Sequence, residues 1–361
     1  MSPSRRIAIA MSGGVDSSVA AALLARSGEA AFGLMLRLWS AGPASANRCC
    51  TPDSMALARR VAAKLGIPFY AVDAQQYFYD QIVTSFIDGY ARGTTPNPCL
   101  MCNRHVRWEF LLQRALSLGA EKMATGHYVR LENAERGKVR ILQAVDDRKD
   151  QSYVLHVLNQ DQLAHAVFPL GGYTKTEIRQ MARDFNLPVS ERADSQDLCF
   201  LGNGDYRSFL IRQAPHVLEA GPILDREGRQ LGEHQGLAFY TIGQRKGLGL
   251  ASSQPYYVLT KDASRNALVV GPADQLGQSE LTAASFNWVA GEAPAEAFRA
   301  EVKIRYKAEY AWGTVTPQGT ERIHIHFDVP LRDITPGQAA VVYEGQVCLG
   351  GGIIQPQDGS I

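Results

Sequence analysis

Apolar runs are short throughout this chain. None reaches the ~18 residues that a membrane-crossing helix needs. The basic start Met1-Ser2-Pro3-Ser4-Arg5-Arg6 leads into a strand-length apolar run, not the longer core of a secretory signal. No membrane partner is therefore expected, and the expected location is cytoplasmic. Cysteine is scarce: Cys49, Cys50, Cys99, Cys102, Cys199 and Cys348 are six in 361 residues. In a reducing compartment so few thiols serve catalysis, metal binding or core packing rather than a disulfide framework. An excess of one charge is also missing. The 37 Lys and Arg against 36 Asp and Glu leave a formal net charge of +1, so a nucleic-acid surface must be a local patch, not a global field. Internal repeats and low-complexity segments are absent. What remains is an ordinary globular composition, 45% hydrophobic and 20% charged, in a chain long enough for two or three domains.

The most informative segment is Ser12-Gly13-Gly14-Val15-Asp16-Ser17-Ser18. It follows the apolar run Ile7-Ala8-Ile9-Ala10-Met11 and precedes an Ala/Leu-rich stretch. That order predicts a strand, a tight glycine turn and a helix, with backbone N–H groups and small hydroxyls gathered at a helix N-terminus. Such a turn is an anion site. It lacks the lysine and the Gly-x4-Gly-Lys-Ser/Thr spacing of the common nucleotide-triphosphatase loop. The segment resembles instead the pyrophosphate-binding loop of the ATP pyrophosphatases, which implies adenylation of a second substrate rather than kinase chemistry. The bland alternative is a glycine turn with a serine N-cap.

The first two hundred residues alternate strand and helix signals. Strands are predicted at Ala31–Leu36, Phe69–Val72 and Lys122–Thr125. Thr51-Pro52 supplies an N-cap and an N1 proline, and Ala58, Val61, Ala62 and Leu65 share one helix face. Further helices are expected over 75–91 and 103–118. Thr174-x-x-Glu177 is a capping box, followed by the apolar face Ile178, Met181, Ala182 and Phe185. This reads as an α/β open parallel sheet with helices on both faces. After about residue 205 turns multiply and period-two alternation takes over, as in Glu301–Tyr306 and Arg322–Phe327. Three domains are expected: a catalytic domain over 1–205, a small central β-rich domain over 206–275 and a C-terminal β-barrel-like domain over 276–361.

The cysteines form the second constellation. Thr95-Pro96-Asn97-Pro98-Cys99-Leu100-Met101-Cys102-Asn103 is a proline-stiffened loop running into a helix. Cys102 is expected at or just before the helix N-terminus, with Arg104 and Arg107 following. Dipole and cations both favour a thiolate there. Cys199 follows Asp194 and Asp197, which oppose its ionisation, and taken alone it reads as a small buried hydrophobe. Cys348 reads as a strand-core residue. Cys49-Cys50 fits no pattern.

Taken together the motifs resemble the tRNA-specific 2-thiouridylases. The match covers nearly the whole chain: Ser12–Ser18, Thr95–Pro98 with Cys102-Asn103, Ala124–Tyr128, Lys149–Tyr153, Asp194-Ser195 with Cys199-Phe200, Thr241–Gly249, and Leu349–Gly352. The resemblance implies 2-thiolation of the wobble uridine of tRNA anticodons. It puts Ala10, Met11, Ser12, Gly13, Gly14, Val15, Asp16, Ser17, Leu36 and Gly126 at ATP-binding positions. Asn97, Pro98 and Cys99 fall on the segment that meets the target base. His127, Lys149, Asp150, Gln151, Arg305, Tyr306 and Gln338 fall on tRNA-contacting positions. Cys102 takes the nucleophile position and Cys199 that of the persulfide carrier. The implied partners are the tRNA anticodon stem-loop and a sulfur-donor protein delivering persulfide.

One departure stands out: many relatives carry Asp where this chain has Cys99. Cys99-x-x-Cys102 could be a redox pair or half a metal site. With Cys199 it offers three thiolates, enough for an iron–sulfur cluster with one open position, while zinc would need a fourth ligand such as His105. The reading adopted here is the metal-free persulfide route, with Mg²⁺ expected alongside ATP. Its alternatives are the same thiolation run through a cluster, another adenylating ATP pyrophosphatase such as an amide-forming synthetase, and a non-enzymatic metal- or nucleotide-binding regulator.

Overall fold

The apolar run at the N-terminus becomes β1 (Arg6–Ala10), paired with parallel strands at both edges and covered by helices on both faces. The structure is a computed structural model describing residues 6–41, 51–193, 198–201, 205–251 and 254–356. β1 pairs with β2 (Ala30–Arg37) and β4 (Lys122–Ala124). β3 (Phe69–Asp73) and β7 (Ala166–Val167) complete a parallel sheet in the order β3-β2-β1-β4-β7. Ile7 and Ile9 face a core shared with the helices Val15–Arg26, Pro52–Leu65 and Lys175–Asp184. Ala8 and Ala10 face the opposite core, with Phe78, Phe86, Trp108 and Leu112 from the helical stretches 75–91 and 98–117. This is the α/β sheet, covered on both faces, that the strand–helix alternation predicts.

The predicted caps are present. Thr51 Oγ1 accepts from Ser54 N and Pro52 opens the helix, which Gly66 ends at φ 68°. Thr174 and Glu177 form the reciprocal capping box. Both long helical stretches contain a wide-pitch segment, Tyr79–Val83 and Cys102–Leu111. Wide-pitch turns of this kind recur at functional sites.

The central region is a four-stranded sheet of β8 (Gly221–Leu224), β9 (Gln230–His234), β10 (Tyr257–Asp262) and β11 (Ala267–Gly271), in the order β10-β11-β8-β9. Its small core holds Ile223, Val258, Leu268 and Val270. The C-terminal strands are β12 (Gln278–Trp288), β13 (Phe298–Lys303), β14 (Ala311–Pro317), β15 (Arg322–Leu331), β16 (Ala339–Glu344) and β17 (Val347–Ile354). They run in the order β12-β15-β14-β13-β16-β17, and β12 also pairs with β17, so an antiparallel barrel closes. A hairpin of β5 (Arg130–Asn133) and β6 (Val139–Leu142) leaves the first α/β unit and pairs through β6 with β17. The sequence reading missed this hairpin, although its strands are short and flank a glycine turn at Gly137.

The run Gly350-Gly351-Gly352 explains how β17 fits. A Cβ on Gly350 would lie 2.3 Å from Asn287 O, one on Gly351 2.6 Å from His156 Cδ2, and one on Gly352 2.8 Å from Ala284 O. The glycines thus let the closing strand pass between β12 and the buried His156. Around this contact Tyr153 Oη donates to Ala339 O at 3.0 Å, and Asn287 Nδ2 donates to Leu158 O at 2.9 Å. We expect Gly351→Val to destabilise the protein by about 1–3 kcal/mol through overpacking. The same change at Gly172, which has open space and no left-handed backbone, serves as control. Equal thermal melts for Gly351→Val and wild type would refute the close-packing account.

Candidate functional site

Strand order reverses at β1, which places a crevice between the carboxyl ends of β1 and β4. The glycine turn fills one side of it. Gly13 has φ 69°, and a Cβ there would lie 2.3 Å from Ser54 O. Gly126, after β4, approaches from the other side, and its Cβ would lie 2.7 Å from Ser17 N. Ser17 Oγ accepts from Ser12 N at 3.1 Å and Ser18 Oγ donates to Gly14 O at 2.8 Å, so the hydroxyls hold the turn's shape. The N-cap of the helix Val15–Arg26 is Gly14, which provides no side-chain acceptor for the first amides. An anion can take that place.

Asp16 is the acid of this turn. Lys175 Nζ donates to both its carboxylate oxygens at 2.7 and 2.8 Å, and Tyr128 Oη donates to Oδ1 at 2.7 Å. Gln151 fixes Tyr128 in turn: its Oε1 accepts from Tyr128 N and its own N–H donates to Tyr128 O, both at 2.9 Å. Arg192 spans the base of the turn, donating to Gly13 O and Ser54 Oγ at 2.7 Å each. Lys175, Tyr128 and Arg192 were not picked out as site residues from sequence. Lys175 sits inside the recognised Thr174–Glu177 capping box, 159 residues from Asp16, so only the fold reveals the pair.

Cys102 approaches the same crevice. Cys102 and Arg107 line a pocket together with Ala10, Met11, Ser12, Leu34, Leu36 and Leu38. Cys102 and Cys199 are both half-buried and pack against one core cluster; Cys99 is exposed and Cys348 buried. The predicted helix start is corrected. The helix begins at Pro98, with Asn97 as N-cap accepting from Cys99 N at 3.1 Å, so Cys102 lies one turn inside. An Asn-Pro pair is itself a cap-and-first-turn signal, and it moves the strongest dipole effect to Cys99. Asp194, Ser195, Asp197, Cys49 and Cys50 lie outside the described residues. Among the described residues no three His, Cys, Asp or Glu side chains converge to hold a metal ion, Cys99, Cys102 and His105 included.

The implied tRNA positions fall into two groups. Arg305 is exposed and paired with Asp333, and Lys149 is half-buried in a turn closed by its N–H on Asp146 O. His127 and Asp150 are buried. His127 bonds Thr125 Oγ1 at 2.7 Å, and burial with the nearby Arg107 charge lowers its pKa to about 3. Asp150 accepts from Ala144 N at 2.9 Å and Ser152 Oγ at 2.6 Å, and burial raises its pKa. Gln338 Nε2 donates to Thr95 O at 2.8 Å, and Tyr306 packs half-buried near Tyr153.

Comparison with known proteins fits this arrangement. Residues 5–203 match a family profile described as tRNA methyl transferase HUP domain, 207–272 its PRC-barrel domain, and 278–354 an aminomethyltransferase beta-barrel domain. A tRNA-specific 2-thiouridylase of Roseiflexus castenholzii is 46% identical over 97% of this chain and 99% of its own length. One of Magnetococcus marinus is 46% identical over 98% of this chain and 100% of its own length. The chain belongs to the tRNA-specific 2-thiouridylase family. In this family member the loop, Cys102 and the barrel are thus parts of one full-length match rather than a shared α/β unit with unrelated additions.

The buried histidines give this thiouridylase-family chain a signature in pH. His127 and His156 have native pKa values of about 3 and about 4, below the ordinary 6.5, chiefly through burial. Above pH 6.5 neither the folded nor the unfolded form is protonated, so these groups leave stability flat. Below it the unfolded chain takes up protons that the native state refuses, and stability falls by up to about 1.4 kcal/mol per pH unit for each histidine. His127→Gln should flatten the loss of apparent melting temperature between pH 7 and pH 5. An unchanged slope would show that His127 is charged or exposed.

Proposed function

We propose that this protein carries out ATP-dependent 2-thiolation of the wobble uridine in tRNA anticodons, releasing AMP and pyrophosphate. The observation that carries the reading is a small pocket in which Ala10, Met11 and Ser12, leading into the glycine turn, meet Leu36 and Cys102. A reaction that activates a substrate with ATP and finishes it with a thiol needs both groups in one place.

The chemistry follows from residue types. Oxygen on a pyrimidine C2 is a poor leaving group. Its attack on the α-phosphate of ATP makes a phosphate ester and expels pyrophosphate. The uncapped helix N-terminus receives phosphate, and Lys175 supplies from a distant helix the cation that the turn lacks. Asp16 offers oxygen ligands suited to Mg²⁺, which when bound would neutralise the polyphosphate. The terminal sulfur of a Cys199 persulfide then attacks C2 and AMP leaves. Cys102 attacks Cys199 Sγ, which frees the thiolated base and leaves a Cys102–Cys199 disulfide for an external thiol to reduce. The sulfane sulfur is reduced by two electrons and the two cysteines are oxidised by two, so the step balances. The base must leave the anticodon stack to reach the pocket. Arg305 and Lys149 are the exposed and half-exposed cations that can hold phosphates.

Asp16→Ala, Gly13→Val and Lys175→Met should each lower tRNA-dependent pyrophosphate release at least tenfold. Loss of a charge-assisted hydrogen bond of about 1.5–3 kcal/mol corresponds to that range. Near wild-type release in all three would show that the crevice is not the nucleotide site.

The cysteines separate the later steps. Cys199→Ser should keep tRNA-dependent pyrophosphate release and lose thiouridine. Cys102→Ser should also lose thiouridine while Cys199 still gains sulfur, read as a 32-dalton adduct by intact mass after exposure to a persulfide donor. Cys99→Asp should stay active. An adduct on Cys102 with none on Cys199 would reverse the roles. Loss of activity in Cys99→Asp, or dependence of wild-type activity on bound iron, would favour the cluster reading.

A further inference from the structure

We propose that Thr94–Thr95 is a clamp through which the barrel and the central sheet position the target-base segment Asn97–Cys99, with Gly337, Gln338 and Lys261 as positioning residues. This rests on the reading under Proposed function, and it makes activation of the base depend on contacts far from the nucleotide.

All three parts of the fold meet at this dipeptide. From the barrel, Pro336 O accepts from Thr95 N at 2.8 Å and Gln338 Nε2 donates to Thr95 O at 2.8 Å. Between them Gly337 has φ 92°, and a Cβ there would lie 2.9 Å from Thr95 C and 3.0 Å from Thr95 N. From the central sheet, Lys261 Nζ donates to Tyr240 O at 3.1 Å and reaches Thr94 O at 3.5 Å. Burial of that ammonium pulls its pKa down to about 7. From the α/β unit, Thr94 N and Oγ1 donate to Gly89 O at 3.0 and 2.8 Å. Thr95 Oγ1 is itself buried without a hydrogen-bond partner among the described residues. Such a site keeps its threonine for shape and main-chain geometry rather than for its hydroxyl.

The segment beyond Thr95 is stiff enough to transmit a displacement. Pro96 packs on Gly89, where a Cβ would lie 2.8 Å from Pro96 Cγ. Asn97 caps the helix through Cys99 N, and Pro98 is its first residue. Two prolines fix φ near −65° on either side of the cap. A shift of Thr95 by an ångström therefore moves Asn97 and Cys99 with it. An ångström of misplacement at a reacting centre can cost about a hundredfold in rate. Gln338 commits one of its two amide N–H donors to Thr95, which ties it to the position of the segment.

The test uses full-length protein, a persulfide donor and unmodified tRNA, with pyrophosphate release measured at saturating ATP and tRNA and both dissociation constants measured separately. The first condition is wild type: absence of tRNA-dependent pyrophosphate release there would defeat the reading under Proposed function. With that condition met, Gly337→Ala should lower the rate at saturation at least tenfold while changing tRNA and ATP affinity less than threefold. Because Gly337→Ala strains the backbone, Gln338→Ala and Lys261→Met serve as unstrained variants. Each should lower the saturated rate three- to tenfold without lowering the melting temperature, and together their losses should be non-additive because both act on Thr94–Thr95. Wild-type rates at saturation in both unstrained variants would overturn the clamp. So would a Gln338→Ala effect confined to tRNA affinity, which would make Gln338 an RNA contact.

Discussion

The main-chain contact between Gly126 and the Asp16–Ser17 peptide sets the geometry of everything around the nucleotide turn. With no side chain on Gly126, the segment after β4 lies 2.7 Å, measured from its would-be Cβ, from Ser17 N. That closeness puts Tyr128 against Asp16, and Tyr128 in turn holds Gln151 and the turn that carries Lys149. A side chain at 126 would wedge the two strand ends apart and break the chain of contacts at its first link. The parallel pairing of β1 with β4 brings the two ends together, and the missing Cβ decides how close they come.

The electrostatics of the turn are closed within the protein. Asp16 is held by a lysine and a phenol, and Lys175 is covered enough that its charge is matched chiefly by this carboxylate. A polyphosphate entering the crevice competes with Asp16 for Lys175, and a divalent cation competes with Lys175 for Asp16. The pair brings its cation from outside the turn, whose own residues are glycines, serines, Val15 and one acid.

Much of the fold was legible because its signals are local. Thr51-Pro52, the Thr174–Glu177 box and the strand alternation of β15 each follow from a few consecutive residues, and each stands where the sequence puts it. What escaped depends on contacts that span the chain. Lys175 meets Asp16 across 159 residues, and the β5–β6 hairpin finds β17 more than 200 residues away. The helix start at Pro98 was missed for another reason. Asn97-Pro98 was read as loop because prolines usually interrupt, although proline at a first helical position fits the helix. The triple glycine was visible as a motif, but its cause is the His156 ring and the backbone of β12, which only the fold brings against β17.

The positions that the resemblance implies for tRNA contact are spread over the boundary between barrel and α/β unit, and that spread has a physical logic. Asp150 and His127 are too buried to meet a phosphate, and Gln338 and Gln151 spend polar atoms on main chain. Arg305 alone of the barrel positions stands exposed. A surface that only had to bind RNA would put charge outward at most of these sites, because phosphate contacts gain from solvent-facing cations. Buried hydrogen bonds at the boundary instead fix the angle between the barrel and the base pocket. In the reading proposed above, these positions act on RNA by holding the barrel and the α/β unit in register, and substitutions there should alter the rate of chemistry before they alter the strength of binding.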